Sequence, residues 1–331
     1  MRKAFVLSAV LLAGCGSSTP VTPTTASPLT TPAPAPPAPT SWAVSGQIVA
    51  AGARTPIAGA TIKFGDAAAI TSDASGNFTI VTTDGTSKPL VVAAPGYFMR
   101  ETSLTGGEVR SGVVFDLIGP EPGFPRQQYL DLVRNAYEGP NKHEPSRRWT
   151  TNPNLYIRTI WRNIDGTRAG EVRPESVEFL ISEFRRIVPQ WTAGTLEAGV
   201  IEFGPEARPL TKGWINVDFG KSGNWSLLGE DPGMVQFGSE GSCQSLAILH
   251  EFGHALGYWH TATRNSILGG ILGSCTLWNL GPNEAAIARS MYARAPGNLE
   301  EDKDGPPPPP VRYTLGAAAP IMLRCDALLG R

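Results

Sequence analysis

Residues 249–260 read Leu249-His250-Glu251-Phe252-Gly253-His254-Ala255-Leu256-Gly257-Tyr258-Trp259-His260 and contain the pattern H-E-x-x-H-x-x-G-x-x-H in full. Three of the four histidines of the chain lie in it. His250 and His254 stand four apart, so a helix projects both from one face. Their ring nitrogens can then reach one ion about 2.0–2.1 Å away. His260 cannot join them on a straight helix. Gly257 can take the left-handed conformation that ends a helix and turns the chain back. Three neutral imidazoles leave a fourth position open for water, as a single catalytic Zn²⁺ requires. Glu251 points to the substrate side and is the candidate general base. The plain alternative is three core or surface histidines on an ordinary helix. A chance match to the full pattern at this composition arises at about 10⁻⁶ to 10⁻⁵ per chain, which favours the metal site.

The surrounding sequence supplies elements to hold such a site. A strand is expected over 155–161. Pro174 then opens a helix whose Val177, Leu180, Ile181, Phe184, Ile187 and Val188 share one face, and Pro189 is expected to end it. Strands follow at 199–203, 213–219 and 233–237, and a helix begins near Ser245. This order predicts an α+β domain with a mixed sheet and an active-site helix. Another helix starts at Pro282, with Ala286, Ile287, Ser290 and Met291 on one face.

The chain of 331 residues is long for one domain and reads as multidomain. Lys+Arg total 28 against Asp+Glu 29, so the net charge of −1 gives no footprint for nucleic acid. Residues 1–14 read as a signal peptide: Arg2 and Lys3, then an apolar run too short to span a bilayer. The run ends in Leu12-Ala13-Gly14-Cys15, which resembles the bacterial lipoprotein lipobox. That resemblance implies lipidation of Cys15, export and membrane attachment through the N-terminal lipid only. Gly16 in place of Asp points to the outer membrane or cell surface rather than the inner membrane. Residues 15–41 are a Ser/Thr/Pro/Ala tether of up to about 75 Å.

Residues 42–118 show short alternating strands at 45–51, 60–64, 77–82, 90–93 and 112–117, separated by turn signals. They predict an all-β sandwich. The order Ser45-Gly46-Gln47-Ile48-Val49, Pro56-Ile57-Ala58-Gly59-Ala60, Thr71 to Phe78 and Pro95-Gly96-Tyr97 resembles the carboxypeptidase regulatory-like, transthyretin-like domain. That resemblance implies a structural spacer, or a binder of a surface polymer or partner. Residues 119–146 read as a connector with a short helix over 126–137 and a solvated His143. It offers no cysteine that could block zinc. Residues 295–331 form a Pro-rich tail whose 300–304 acidic run reads as solvated.

Export places the remaining Cys243, Cys275 and Cys325 in an oxidising compartment. A bond between Cys243 and Cys275 would close a loop of about 33 residues and contribute about 3–4 kcal/mol. Cys325 is free or replaces one of them. Asp218, Glu230 and Asp231 are oxygen ligands of the kind a structural Ca²⁺ takes, but acidic loop residues are ordinarily solvated and the sequence does not support that ion.

The motif and its surroundings, over residues 147–294, resemble the metzincin clan of zinc metallopeptidases, its matrixin-like members above all. The resemblance implies a zincin fold, zinc on His250, His254 and His260, and Glu251 as catalytic base. It makes the strand around Met234-Val235-Gln236-Phe237 the edge beside the cleft, where an extended peptide pairs. The clan has a Met-turn beneath the metal. This chain has Asn265-Ser266-Ile267-Leu268-Gly269-Gly270 there, with Leu268 at the Met position. That nearly volume-conserving exchange costs under about 1.5 kcal/mol. The rival Met291 reads as helix core. The expected function is a lipid-anchored, exported zinc endopeptidase acting on peptide or protein substrates. The alternatives are a non-catalytic zinc-containing surface binder and a zinc hydrolase of a cell-wall amide. Oligomeric state and cleavage specificity are not legible.

Overall fold

The computed structural model describes residues 41–83, 85–105, 110–221, 223–229, 231–238, 244–269, 279–300, 302–306 and 322–324. The signal peptide, Cys15, the tether up to residue 40, Glu230, Gly270, Cys243, Cys275 and Cys325 lie outside the described residues.

The first part is all-β. Strand β1 (Trp42–Ala50) lies between β4 (Asn77–Thr82), antiparallel, and β7 (Arg110–Leu117), parallel. A second, antiparallel sheet runs β3 (Ile70–Thr71), β2 (Thr61–Phe64), β5 (Ser87–Ala93), β6 (Arg100–Thr105). Alternation explains the core. Ile62 and Phe64 of β2 and Phe78 and Ile80 of β4 point inward, and the residues between Phe78 and Ile80 or Ile62 and Phe64 face out. They meet Trp42, Val44, Leu90, Val92, Phe115 and Leu117 in one cluster. Strand β6 is absent from the sequence reading because only Arg100 and Leu104 of its six residues are buried, too sparse a pattern to see.

The second part begins with α1 (Arg126–Arg134). There follow β8 (Asn154–Arg162), β9 (Arg168–Glu171), α2 (Pro174–Trp191), β10 (Ile201–Gly204), β11 (Trp214–Gly220), β12 (Trp225–Leu227), β13 (Gly233–Phe237), α3 (Gln244–Ala255), α4 (Pro282–Tyr292) and β14 (Met322–Arg324). The sheet order is β10-β8-β11-β13-β12-β14, with β9 antiparallel to the far end of β8. Strands β10, β8, β11 and β13 are mutually parallel, whereas β12 runs antiparallel to β13 and β14 antiparallel to β12. Two expectations need correction. The strand at 234–237 is not an edge: β13 lies inside the sheet, and the short β12, too brief to show a period, lies outside it. Helix α2 also runs past Pro189 to Trp191. Pro189 sits in the last turn, where it removes only the hydrogen bond to residue 185. The turn is held by the Trp191 indole donating to the Leu249 carbonyl at 2.9 Å and by Thr192 Oγ1 donating to the Val188 carbonyl at 2.8 Å.

Residues 119–146 are more than a connector, and Asp302 of the 300–304 run is buried and not solvated. Phe124, Tyr129, Leu132 and Val133 are buried in the same core as α2, α3 and the mixed sheet, together with Ala51, Phe98 and Ile118 from the all-β part. Beside that core lies a buried charge network. Asp116 of β7 pairs with Arg100 at 2.8 Å and Arg294 at 3.1 Å, and accepts from Ser290 Oγ of α4 at 2.9 Å. Arg294 is also paired with Asp302, which is 1% exposed. Composition shows the charges and not their partners, which come from residues far apart in sequence.

Burial opposes ionisation of Asp116, but Arg294 and Arg100 outweigh it and hold the carboxyl below its ordinary value of 3.8. A lowered carboxylate contributes stability that is present above about pH 4 and lost as pH falls through the folded value. Asp116→Asn leaves two buried guanidiniums under-compensated and should cost about 3–5 kcal/mol at pH 7 by urea unfolding. The gap to the parent protein should narrow as pH falls below about 4.

Candidate metal centre

Helix α3 carries His250, Glu251 and His254, and ends in a closed turn. The Tyr258 N–H donates to the Gly253 carbonyl at 3.1 Å and the Gly257 N–H to the His254 carbonyl at 2.8 Å. These are the paired bonds of a Schellman cap. Gly257 has φ +113°, and a Cβ there would lie 1.6 Å from the Arg147 carbonyl oxygen. Only glycine fits. The Trp149 indole donates to the Ala255 carbonyl at 2.8 Å, and Tyr258 Oη donates to the Trp191 carbonyl at 2.5 Å. Gly253 has its own reason: a Cβ would come within 2.9 Å of the Trp191 ring.

The reversal brings the third histidine back to the first two. Nε2 of His254 lies 3.0 Å from Nε2 of His250 and 3.1 Å from Nε2 of His260. Ligands at 2.0–2.1 Å in a tetrahedron sit about 3.3–3.4 Å apart, so the spacing suits one small ion. The other ring nitrogens are tied to acceptors. Nδ1 of His250 faces the Ile267 carbonyl at 2.7 Å, that of His254 the Tyr258 carbonyl at 2.6 Å, and that of His260 the Glu138 carboxylate at 2.7 Å. Such partners place the proton on Nδ1 and turn the Nε2 lone pair toward the common point. Burial, with the neighbouring ring His260, holds His250 down to about 4, and burial with His250 and His260 holds His254 well below 6.5. Both are therefore neutral at pH 7, the form a metal ligand needs. Among the described residues, this is the group of His, Cys, Asp and Glu that could hold a metal ion.

Glu251 is fully buried, and Ser226 Oγ of β12 donates to its Oε2 at 2.6 Å and to its backbone carbonyl at 2.9 Å. The segment after His260 loops back under the histidines. The Thr261 N–H donates to the Leu268 carbonyl at 3.1 Å, and Leu268 is wholly buried beside Ile267. Met291 is also buried in the main core, on α4.

Two site residues escaped the sequence reading. Glu138 follows α1, and Ser226 is in β12; neither has a motif around it. The α1 segment is the support of the third ligand. The Leu132 carbonyl accepts from the Trp259 N–H at 2.8 Å, and Asp131 accepts from Thr261 Oγ1 at 2.8 Å. Gln128 donates to Ser266 Oγ at 3.2 Å.

The remaining candidates lie elsewhere. Asp218 is paired with Arg162 at 3.3 Å and Arg158 at 4.0 Å, and Asp231 accepts from the Gly213 N–H. Their carboxylates thus have cationic or N–H partners. His143 is exposed and outside the histidine group.

No family model matches the chain. No curated protein matches it. Among solved structures, two type II cohesin–X-dockerin complexes from Acetivibrio cellulolyticus are similar. The N-terminal interface mutant is 21% identical over 22% of this chain, with a TM-score of 0.19. The C-terminal interface mutant is 20% identical over 22%, with a TM-score of 0.18. The matches span about half of those chains, 51% and 56%. A likeness of that size bears on neither the site nor its partners.

Replacing Glu138 by Gln removes the charge behind His260 and keeps the shape. Zinc affinity, read by chelator competition at pH 7, should fall about 10–100-fold. Gly257→Ala should abolish zinc binding in the same titration and destabilise the fold together, because the Arg147 carbonyl blocks the new methyl.

Proposed function

We propose that this chain is a zinc endopeptidase of metzincin type, exported and lipid-anchored through Cys15. The convergence of three buried Nε2 atoms, two from the helix that carries Glu251 and the third from the chain after its terminal turn, carries the reading. The sheet adds support: parallel β10, β8, β11 and β13 followed by antiparallel β12 suit a peptidase that lays an extended substrate along β12. His250, His254 and His260 would hold the ion. Zinc bound there supplies Lewis acidity, lowering the pKa of water and polarising a peptide carbonyl.

The chain's own residues do the rest. The Nδ1 partners fix three rings so that little reorganisation accompanies reaction. Ser226 holds the Glu251 carboxylate in place from β12, so the base is aligned with the strand that orders the substrate. Glu251 takes a proton from the attacking water and delivers it to the departing amine, which prevents the amide from re-forming. The buried floor at Ile267 and Leu268 keeps water out from beneath the histidines.

Glu251→Gln should lower kcat on a proteome-derived peptide mixture by at least about 10²–10⁴-fold while one zinc per chain is retained. Full activity in that variant would remove Glu251 from the mechanism. Absence of any metal-dependent cleavage by the parent protein would sink the peptidase reading and leave a metal-binding surface protein.

A further inference from the structure

The outer edge of β12 is already taken. Strand β14 pairs with it antiparallel, Trp225 opposite Arg324, Ser226 opposite Leu323 and Leu227 opposite Met322. Ser226 is also the residue whose hydroxyl reaches Glu251. Neighbouring strands lie about 4.8 Å apart, so β14 runs one strand's width from the residue that positions the base. A peptide that adds to the sheet needs the same N–H and C=O groups of β12, because β13 occupies the other side.

From this register we infer that the C-terminal strand is an occupant in cis of the substrate edge, and that a peptide must displace it to bind. The inference rests on the peptidase reading above. Its physical basis is competition for one backbone ladder. Three residues form a short pairing, shorter than the usual strand, so the tail is held weakly enough to leave. Attachment to the same chain keeps it at high local concentration, so a weak pairing still competes. Displacement changes apparent substrate binding and leaves the chemistry alone, because His250, Glu251, His254 and His260 all lie outside the tail. The effect therefore falls on KM.

The test compares the zinc-loaded full chain with the same chain carrying Met322→Pro and Leu323→Pro. Two successive prolines remove at least one N–H donated to β12 in either phase of the antiparallel ladder. KM for a fluorogenic peptide should drop about tenfold or more in the variant, with kcat unchanged. A synthetic peptide of residues 318–331 should raise KM of the variant again. In parallel, hydrogen exchange of amides 225–227 is followed in both chains with Glu251→Gln added, so that no cleavage intervenes. Exchange should quicken in the proline variant. Equal KM and equal exchange in the two chains would overturn the tail's role while leaving the peptidase reading intact. Faster exchange with no cleavage by either active chain would instead reject the peptidase reading, and with it any inhibitory role for the tail. A drop in kcat alongside KM would mean that β14 supports the site rather than competing for it, which also overturns the inference.

Discussion

Everything at the candidate metal centre depends on one backbone reversal. Helix α3 can offer two imidazoles from one face, and no arrangement of its own residues offers a third. The turn at Gly257 brings His260 back, and it does so against the Arg147 carbonyl, at a distance no side chain tolerates. The same turn closes the helix with two hydrogen bonds and places the Tyr258 carbonyl where Nδ1 of His254 needs an acceptor. One local conformation thus serves helix termination, ligand delivery and ligand orientation. Burial then makes the site costly to leave half-built. The neutral rings of His250 and His254 have no charge to solvate and can remain in a dry pocket, where their Nδ1 atoms have partners.

The parts of this arrangement that are local in sequence were legible. Histidine spacing, the glycine and the proline-led helices follow from periodicities that a few residues display. The parts that depend on distant residues were not. Glu138 lies 122 positions before His260, in a stretch whose polar composition reads as linker. Its role needs α1, whose buried Tyr129, Leu132 and Val133 give too short a pattern to announce a core helix. The run at 233–237 reads as an edge strand for a related reason. The apolar run at 233–237 is the conspicuous one because it is buried inside the sheet, while β12 is three residues long.

The charged residues teach the same lesson from the other side. Asp302 sits in a run that resembles a solvated tail, yet its carboxylate is buried against Arg294. Arg294 in turn reaches Asp116 of the all-β part, and Arg100 donates to the Ala293 carbonyl at 2.6 Å. A buried ion network adds little net stability over apolar packing, but it tolerates few geometries. It therefore fixes the seat of the all-β part on α4 more sharply than the surrounding apolar contacts would. Residues 42–118 are in this sense part of the scaffold of the second part rather than a bead on a string.

The parallel pairing of β1 with β7 has a mechanical meaning. The chain enters at the start of β1 and leaves for the rest of the protein at the end of β7. Two parallel strands pulled at opposite ends are sheared, so all the rungs between Val44 and Ala50 and their partners share the load at once. An antiparallel pair pulled at adjacent ends would open one rung at a time. Tension arriving through residues before Trp42 is thus met by the most resistant geometry a sheet offers, before any of it reaches the histidines.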